Sequence, residues 1–148
     1  HEELYNSGDL ARIDFGDYSR ILIENLFDSY GISTSHIALD IQVDAQPLSL
    51  DQAIPLGLVI NELVSNALKY AFPGGREGHV SIFLQAGPGN QFALTVSDDG
   101  IGLPTDIDFQ HPNSLGLRLV ETLAHQLKAN VELDRSTGTT FTIARESS

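Results

Sequence analysis

The chain of 148 residues contains no cysteine, which excludes disulfide bonds and thiolate metal sites. It has no run of about 20 apolar residues, the length that a membrane-spanning helix needs. Its first residues lack a basic segment followed by an apolar core, so no secretory signal is predicted. We therefore expect a cytoplasmic domain, although a fragment cut from a membrane-attached receptor would have the same composition.

Basic residues are scarce: 8 Lys and Arg stand against 20 Asp and Glu, which gives a formal net charge of −12. Nucleic acid is not expected as a partner, because neutralising its phosphates needs clustered Lys and Arg. A small phosphate-bearing ligand remains compatible, since charges beyond about 8 Å are screened at physiological salt. Its phosphates would be held locally by a lysine, a divalent cation or the amides at a helix start.

The length and the 41% hydrophobic content predict one domain that buries about 70% of the surface its unfolded chain exposes. Asp14 or Asp17 is expected to cap a first helix that continues to about Tyr30. The residues of this helix predicted to face inward are Ile21, Leu22, Leu26 and Phe27. Ser49, with Gln52 three residues later, resembles the capping box of a second helix.

The second helix contains Pro55, which is expected in its first turn, so that the helix begins near Ile54. It is predicted to end at Pro73-Gly74-Gly75. A third helix is predicted from 115 to about 129, after a long unpatterned loop over 103–113 of the kind that is often functional.

Strands are predicted by alternating apolar residues and by flanking turn residues. The predicted strands are 37–43, the hairpin pair 80–84 and 92–97, and the closing pair 130–134 and 140–144. Helices and strands mixed without regular β-α-β alternation favour a two-layer α+β sandwich.

The predicted second helix carries the most informative segment, 61–70. Glu62, Asn66 and Lys69 are spaced i, i+4 and i+7, so they project from one helix face. The opposite face is apolar, with Ile60, Leu63, Val64, Ala67 and Ala71. An acid, an amide and an amine on one face suit a metal ion and phosphates, and a solvated polar face is the alternative.

Three downstream motifs narrow this choice. Asp98-Asp99-Gly100-Ile101-Gly102 follows a predicted strand, Ser114-Leu115-Gly116-Leu117 opens the third helix, and Gly138-Thr139-Thr140-Phe141 begins the last strand. Each motif alone is weak, because glycines beside an aspartate are common in turns. Their order and separation together are much more specific.

Together these motifs resemble the nucleotide-binding boxes of the GHKL superfamily of histidine kinases, type II topoisomerases, Hsp90-like chaperones and MutL-like proteins. Residues 66–70 resemble the N box, 98–102 the G1 box, and 115–117 a shortened G2 box. The resemblance implies the Bergerat fold, with a mixed sheet of about five strands packed against three helices. It also implies ATP and Mg²⁺ as cofactors.

Two further segments resemble sensor histidine kinases with the HisKA_2 type of dimerisation and phosphoacceptor hairpin. They are Ile54-Pro55-Leu56-Gly57-Leu58 and Tyr70-Ala71-Phe72-Pro73. Residues 1–12 then resemble the end of a linker from that hairpin, which is itself expected to be missing. Residues 13–148 would be the ATP-binding catalytic domain, with an ATP lid at about 103–115.

The resemblance assigns binding roles to residues on both sides of the ATP. Asp98 would accept a hydrogen bond from the exocyclic amine of adenine, and Gly100 and Gly102 would let the backbone approach the base. Tyr70 would lie against adenine or ribose, and Thr140 would close the adenine pocket through a water. The remaining assigned residues, Leu115, Gly116 and Leu117, would bring helix amides toward the phosphates.

Asn66 is expected to bind Mg²⁺ through its amide oxygen, a hard ligand that this ion accepts. Lys69 would meet the phosphates from the same helix face. Glu62 departs from most histidine kinases, which carry asparagine there. It is either a general base, a residue that orients metal-bound water, or a passive surface residue. We name Glu62, Asn66 and Lys69 as the catalytic residues.

The resulting expectation is a catalytic domain that transfers the γ-phosphoryl of ATP to a histidine on a separate dimerisation hairpin. A response regulator would act downstream, and the parent protein is expected to be homodimeric. The alternatives are an ATP hydrolase or anti-sigma-type serine kinase of the same superfamily, which Glu62 favours, and a non-catalytic nucleotide-binding module.

Overall fold

A computed structural model describes residues 12–31, 36–44, 48–72, 74, 76–87, 91–101 and 115–146. Within these ranges the helices are α1 (Phe15–Ser29), α2 (Leu50–Tyr70) and α3 (Leu115–Gln126). The strands are β1 (Arg12–Ile13), β2 (Ile37–Asp44), β3 (Leu48–Ser49), β4 (Gly78–Ala86), β5 (Phe92–Asp98), β6 (Asn130–Asp134) and β7 (Thr139–Arg145). The predicted lid over about 103–115, apart from its last residue, and the predicted linker before Arg12 lie outside the described residues.

Five of the described strands form one mixed sheet in the order β2-β4-β5-β7-β6. β2 and β4 are parallel, with Ile37 opposite Gly78, and every other neighbouring pair is antiparallel. α2 lies in the connection between the parallel strands, which need a long crossover. With three helices in the described ranges, the predicted two-layer α+β sandwich is confirmed.

The core lies between the helices and one face of the sheet. Buried and half-buried residues alternate along β5 and the first part of β7, so one face of each strand packs inward. All of the apolar residues predicted on the inner face of α2 are buried: Ile60, Leu63, Val64, Ala67 and Ala71. α2 also packs against both α1 and α3, which fixes its rotation about its own axis. Within the described part of the chain, no helix is long and apolar enough to cross a membrane.

α2 begins at Leu50, four residues before the predicted start, and Pro55 lies inside it. A proline there removes the hydrogen bond that its amide would donate to the carbonyl of Asp51. Burial of Ala53 and Leu56 on the first turns of α2 offsets that loss, and pairing of Ser49 with Arg12 across β1 and β3 holds the helix start. Ser49 is the N-cap residue, but its side chain makes no capping hydrogen bond, so the Ser49 half of the predicted capping box is not formed.

Asp14, one of the two residues predicted to cap α1, does so. Its Oδ1 accepts a hydrogen bond from the Asp17 amide at 3.2 Å. The prediction that Ile21 faces inward is wrong, because its side chain is 60% exposed. The buried positions of α1 are Phe15, Ser19, Ile23 and Phe27. They repeat every four residues, and Ile21 lies two residues, or about 200°, away from that stripe.

Candidate nucleotide-binding site

A pocket lies between the second half of α2 and the neighbouring ends of β5 and β7. Its polar lining is Asn66, Tyr70, Ser97, Asp98 and Thr139. Its apolar lining is Leu63, Ala67, Ala71, Val96 and Phe141. A few polar groups on apolar walls are typical of small-molecule sites.

α2 supplies the side of the pocket that carries Asn66 and Tyr70. The neighbouring Leu63 and Ala67 are buried in the core, so the helix cannot turn Asn66 away without exposing them. Asn66 is half-buried, and Tyr70, one turn later, lines the mouth while 50% of it remains exposed. A mid-helix asparagine lowers helix propensity, which makes its position at the pocket wall informative.

Glu62 and Lys69 flank Asn66 along α2, as the i, i+4 and i+7 spacing predicts. Glu62 is half-buried and Lys69 is exposed. Neither belongs to the described lining of the pocket. The structure therefore places Asn66, Tyr70 and Asp98 together at one pocket, with Glu62 and Lys69 at the adjoining surface of the same helix.

Asp98 is the last residue of β5, and only 9% of it is exposed. Its Oδ1 accepts a hydrogen bond from the Gly100 amide at 2.9 Å. Burial raises the pKa of the Asp98 carboxyl above its ordinary value of 3.8, while the amides of Gly100 and Thr139 oppose that rise. A carboxylate has about four acceptor positions, so these bonds leave capacity for a ligand donor.

Two glycines let backbone segments meet beside Asp98. A Cβ at Gly100 would overlap the carbonyl oxygen of Ala71, at the C-cap of α2. The Ile101 amide donates a hydrogen bond to that same carbonyl at 3.0 Å. Gly138 has φ +81° and faces the carbonyl oxygen of Asp98 at a separation that leaves no room for a Cβ. Gly100 was predicted to let the backbone approach the base. In the structure, its lack of a side chain lets the backbone approach the end of α2.

β7 presents Thr139 to the pocket, whereas Thr140 lies outside its described lining. Side chains alternate along a strand, and Thr139 shares its face with the buried Phe141. Thr139 is also opposite Asp98 in the β5–β7 register. The geometry corrects the predicted choice of Thr140, and the alternation back from Phe141 would have identified Thr139 from the sequence.

The residues predicted to bring amides toward the phosphates lie at the start of α3. α3 begins at Leu115, as predicted, and Leu117 is 2% exposed in the core, so its side chain is occupied by packing. The positions of Leu115 and Gly116 are described only as part of the helix backbone. Gly102 lies outside the described residues.

The donor set suits a magnesium ion that is shared with phosphates. Among the described residues there is no group of three His, Cys, Asp or Glu side chains able to enclose a metal. Asn66 presents an amide oxygen at the pocket, and Mg²⁺ commonly uses one or two protein ligands with phosphates and water. The residues present therefore fit Mg²⁺ bound to a nucleotide.

Residues 51–145 match the family described as Histidine kinase-, DNA gyrase B-, and HSP90-like ATPase. The matched range contains α2, β4, β5, α3, β6 and β7, and so the whole pocket. The chain belongs to this family. As an ATPase domain of this family, it is expected to bind ATP, and the pocket with Asn66 and Asp98 on opposite sides lies within the matched residues.

Two similar proteins indicate which kind of ATPase domain this chain resembles. Blue-light-activated histidine kinase 2 of Erythrobacter litoralis is 34% identical over 108 residues, covering 72% of this chain and 31% of that protein. Sensor histidine kinase PdtaS of Mycobacterium tuberculosis is 40% identical over 96 residues, covering 64% of this chain and 18% of that protein. The chain thus spans about a third or less of the curated relatives it matches.

A solved structure supports the same assignment. The histidine kinase domain of the Erythrobacter litoralis EL346 blue-light activated histidine kinase superposes with a TM-score of 0.79. It is 30% identical, and the match covers 90% of this chain and 67% of that chain. This ATPase domain is homologous to the catalytic domains of sensor histidine kinases, which favours that function over the hydrolase, serine kinase and non-catalytic alternatives.

Proposed function

We propose that this domain binds Mg-ATP and transfers the γ-phosphoryl group to a histidine on a dimerisation hairpin of the HisKA_2 type. The observation that carries the proposal is the pocket that Asn66 on α2 and the buried Asp98 at the end of β5 both line. One residue suits the metal and phosphates, and the other suits the base, so the nucleotide would lie along α2.

Asp98 would select adenine. Its carboxylate accepts a hydrogen bond from the exocyclic amine of adenine, a charge-assisted bond worth about 1.5–3 kcal/mol. Guanine presents a carbonyl oxygen at the corresponding position and would be repelled. The raised pKa of Asp98 comes mainly from burial, and the same burial strengthens a bond formed there by excluding water.

Asn66 and Lys69 would hold the phosphate end. Asn66 would hold Mg²⁺ through its amide oxygen, and Lys69, one turn further along α2, would pair with a phosphate oxygen. The ion, when bound, neutralises charge on the β- and γ-phosphates. The protein's own contribution is to orient the phosphates and to keep the nucleotide in line with the acceptor.

Glu62 lies one turn before Asn66 and is half-buried, so it would reach the region where the acceptor nucleophile or a water approaches. As a general base it would take the proton from that nucleophile. As an orienting residue it would only hold a metal-bound water. A Glu62→Gln variant separates the roles, since Gln still orients water but cannot accept the proton.

The proposal is tested by incubating the domain with γ-labelled ATP, Mg²⁺ and the dimerisation hairpin of its parent protein. We expect acid-labile, base-stable label on the hairpin, as for phosphohistidine, and none on a hairpin whose histidine is replaced by glutamine. Substantial ATP hydrolysis without any hairpin, and no transfer with it, would support a hydrolase instead. ATP binding with neither reaction would support a non-catalytic module.

The wider context follows from this activity and is likewise proposed. ATP as the substrate places the domain in the cytoplasm, whether its parent is soluble or membrane-attached. A response regulator would receive the phosphoryl group, and the hairpin would make the parent homodimeric. Residues 13–148 would form the catalytic domain.

A further inference from the structure

Asp99, next to Asp98, continues the β4–β5 ladder with its side chain. Its amide donates a hydrogen bond to the carbonyl of His79 at 3.3 Å. The reciprocal bond from the His79 amide goes to Asp99 Oδ1 at 2.6 Å, where a regular antiparallel pair would use the backbone carbonyl. The carboxylate thus replaces a main-chain acceptor and lets the strand end at Asp98.

The carbonyl and the second carboxylate oxygen of Asp99 have partners of their own. Asp99 Oδ2 lies 2.8 Å from Nδ1 of His79, and the Asp99 carbonyl accepts a hydrogen bond from Arg76 at 3.3 Å. We call Arg76, His79 and Asp99 the clasp. It joins the segment after α2 to the first strand residues of β4 and to the end of β5.

The ion pair within the clasp is not its strongest part. The side chains of His79 and Asp99 are 68% and 54% exposed, and exposed pairs stabilise little. The short bond from the His79 amide is different, because a charged acceptor strengthens it and because it fixes the backbone of Asp99 directly. Burial raises the pKa of Asp99, but the hydrogen bonds from the His79 amide and ring together outweigh it and lower the pKa below its ordinary value, so Asp99 is an anion at neutral pH.

Asp98 is held on both sides by this arrangement. The clasp fixes Asp99 on the outer side of the turn, and the Gly100 amide bonds to Asp98 Oδ1 on the inner side. Val80 is opposite Asp98 at the end of the β4–β5 register, and His79, the residue before Val80, bonds to Asp99, so the clasp holds the residues next to Val80 and Asp98. A shift at Asp99 would therefore move Asp98 relative to α2.

We propose that Asp99 is a positioning residue for nucleotide binding, which holds the Asp98 carboxylate in place through its bond to the His79 amide. This inference rests on the proposed function, because it concerns the same adenine contact. Asp99 is exposed to solvent, and the 2.6 Å hydrogen bond from the His79 amide of β4 gives it this role.

The test is a double-mutant cycle on Mg-ATP affinity, with a displaced fluorescent ATP analogue as the readout. Asp99→Ala in the native chain should weaken ATP binding about three- to tenfold, the order of one typical hydrogen bond, because Asp99 acts on the ligand only through Asp98. The same change in an Asp98→Ala background should have less than a twofold effect, because residues that act through one contact are not additive.

Three further variants separate positioning from charge and from stability. Asp99→Asn removes the charge but keeps an acceptor for the His79 amide, so ATP affinity should stay within about twofold of native. His79→Ala keeps the backbone bond and should also have a small effect. Asp134→Ala is the matched control, since Asp134 accepts bonds from the amide and hydroxyl of Ser136 at 2.8 and 2.7 Å and ends β6, which β7 separates from β5. It should leave ATP affinity unchanged.

Several outcomes would overturn the inference. Full ATP affinity in Asp99→Ala, or an additive loss in the Asp98→Ala background, would show that Asp99 does not act through Asp98. An Asp99→Asn variant as weak as Asp99→Ala would show that charge matters and not the acceptor. If the native chain binds no ATP, the proposed function itself fails, and this inference fails with it.

Discussion

The Asp98 carboxylate combines burial with hydrogen bonds from two backbone amides. It lies 9% exposed between the Gly100 and Thr139 amides, and these backbone partners hold its orientation without neutralising its charge. A site prepared in this way has little reorganisation left to do when a donor arrives. Most of the discrimination among bases should therefore come from this one side chain.

Replacing Asp98 by alanine should weaken Mg-ATP binding by tenfold or more, the order expected for a charge-assisted bond of about 1.5–3 kcal/mol. Isothermal titration of the native and variant chains measures it. Asp40→Ala, an exposed residue of β2, is the control for loss of one negative charge and should bind ATP normally. An unchanged affinity in Asp98→Ala would remove Asp98 from the site.

Asp98→Asn should make the nucleotide-free domain more stable at neutral pH. Burial raises the pKa of Asp98 in the folded state, so the folded chain binds this proton more tightly than the unfolded chain. Its contribution to stability is then most favourable below 3.8 and declines as pH rises through the folded pKa. The variant should melt a few degrees higher at pH 7, at about 2–4 °C per kcal/mol.

The gain from Asp98→Asn should shrink as the pH of the melting experiment is lowered, because native Asp98 is protonated at a higher pH than an ordinary aspartate. Asp134→Asn is the comparison with a pKa shift in the opposite direction, because hydrogen bonds from the hydroxyl and amide of Ser136 lower the pKa of Asp134. It should give no gain at pH 7. A lower melting temperature for Asp98→Asn at pH 7 would contradict the account of a desolvated charge.

The sequence predicted some of these residues better than others, for physical reasons. Asn66 and Asp98 were identifiable because each is a polar residue where the surrounding pattern is apolar. Thr139 was missed because two adjacent threonines differ only in which face of β7 they occupy. Asp99 was missed because its partner, His79, is twenty residues away, and sequence patterns report local spacing far better than a contact between strands.

At the scale of elements, α2 determines where the site is. Its buried face packs on the sheet and between α1 and α3, while Asn66 and Tyr70 line the pocket. Its first turns were predicted poorly, because Pro55 is a strong local signal for a helix start that tertiary burial of Ala53 and Leu56 overrides. Its apolar stripe was predicted well, because helical periodicity continues over several turns.

Gly100→Ala should destabilise the domain by about 2 kcal/mol or more, because the added Cβ would overlap backbone at the C-cap of α2 and neither segment can yield easily. Thermal melting should show a fall of several degrees. Gly87→Ala is the matched control, since the nearest atoms there belong to the flexible side chain of Gln91. Equal melting temperatures for the two variants would mean that the β5 turn is free to move from α2.

At the scale of the whole molecule, the order of the sheet was beyond the sequence. The individual strands were predictable from alternation and turn residues, and their number and the two-layer class followed. The parallel pairing of β2 with β4 and the small β1–β3 pair depend on contacts between distant segments. Without the family resemblance, nothing in the local pattern specifies them.

Mg-ATP should stabilise the native domain as a ligand that binds only the folded state. At a free concentration 100 times the dissociation constant, the gain is about 2.7 kcal/mol, or roughly 5–11 °C in melting temperature for a domain of this size. The shift should be much smaller with ATP and a chelator, because the net charge of −12 then opposes the unneutralised phosphates. An equal shift in both conditions would argue against a role for Mg²⁺.

Three glycines lie beside the turn that follows β5, and a Cβ added to any of them would overlap a neighbouring group. Gly78 faces Phe72, Gly100 faces Ala71, and Gly138 faces the Asp98 carbonyl. An engineer who wishes to enlarge the base-binding cavity therefore cannot do so by reshaping that turn. A saturation library across these three positions should yield misfolded chains and few altered specificities. New nucleotide preferences should instead be sought by exchanging the side chain of Tyr70, which lines the pocket from α2.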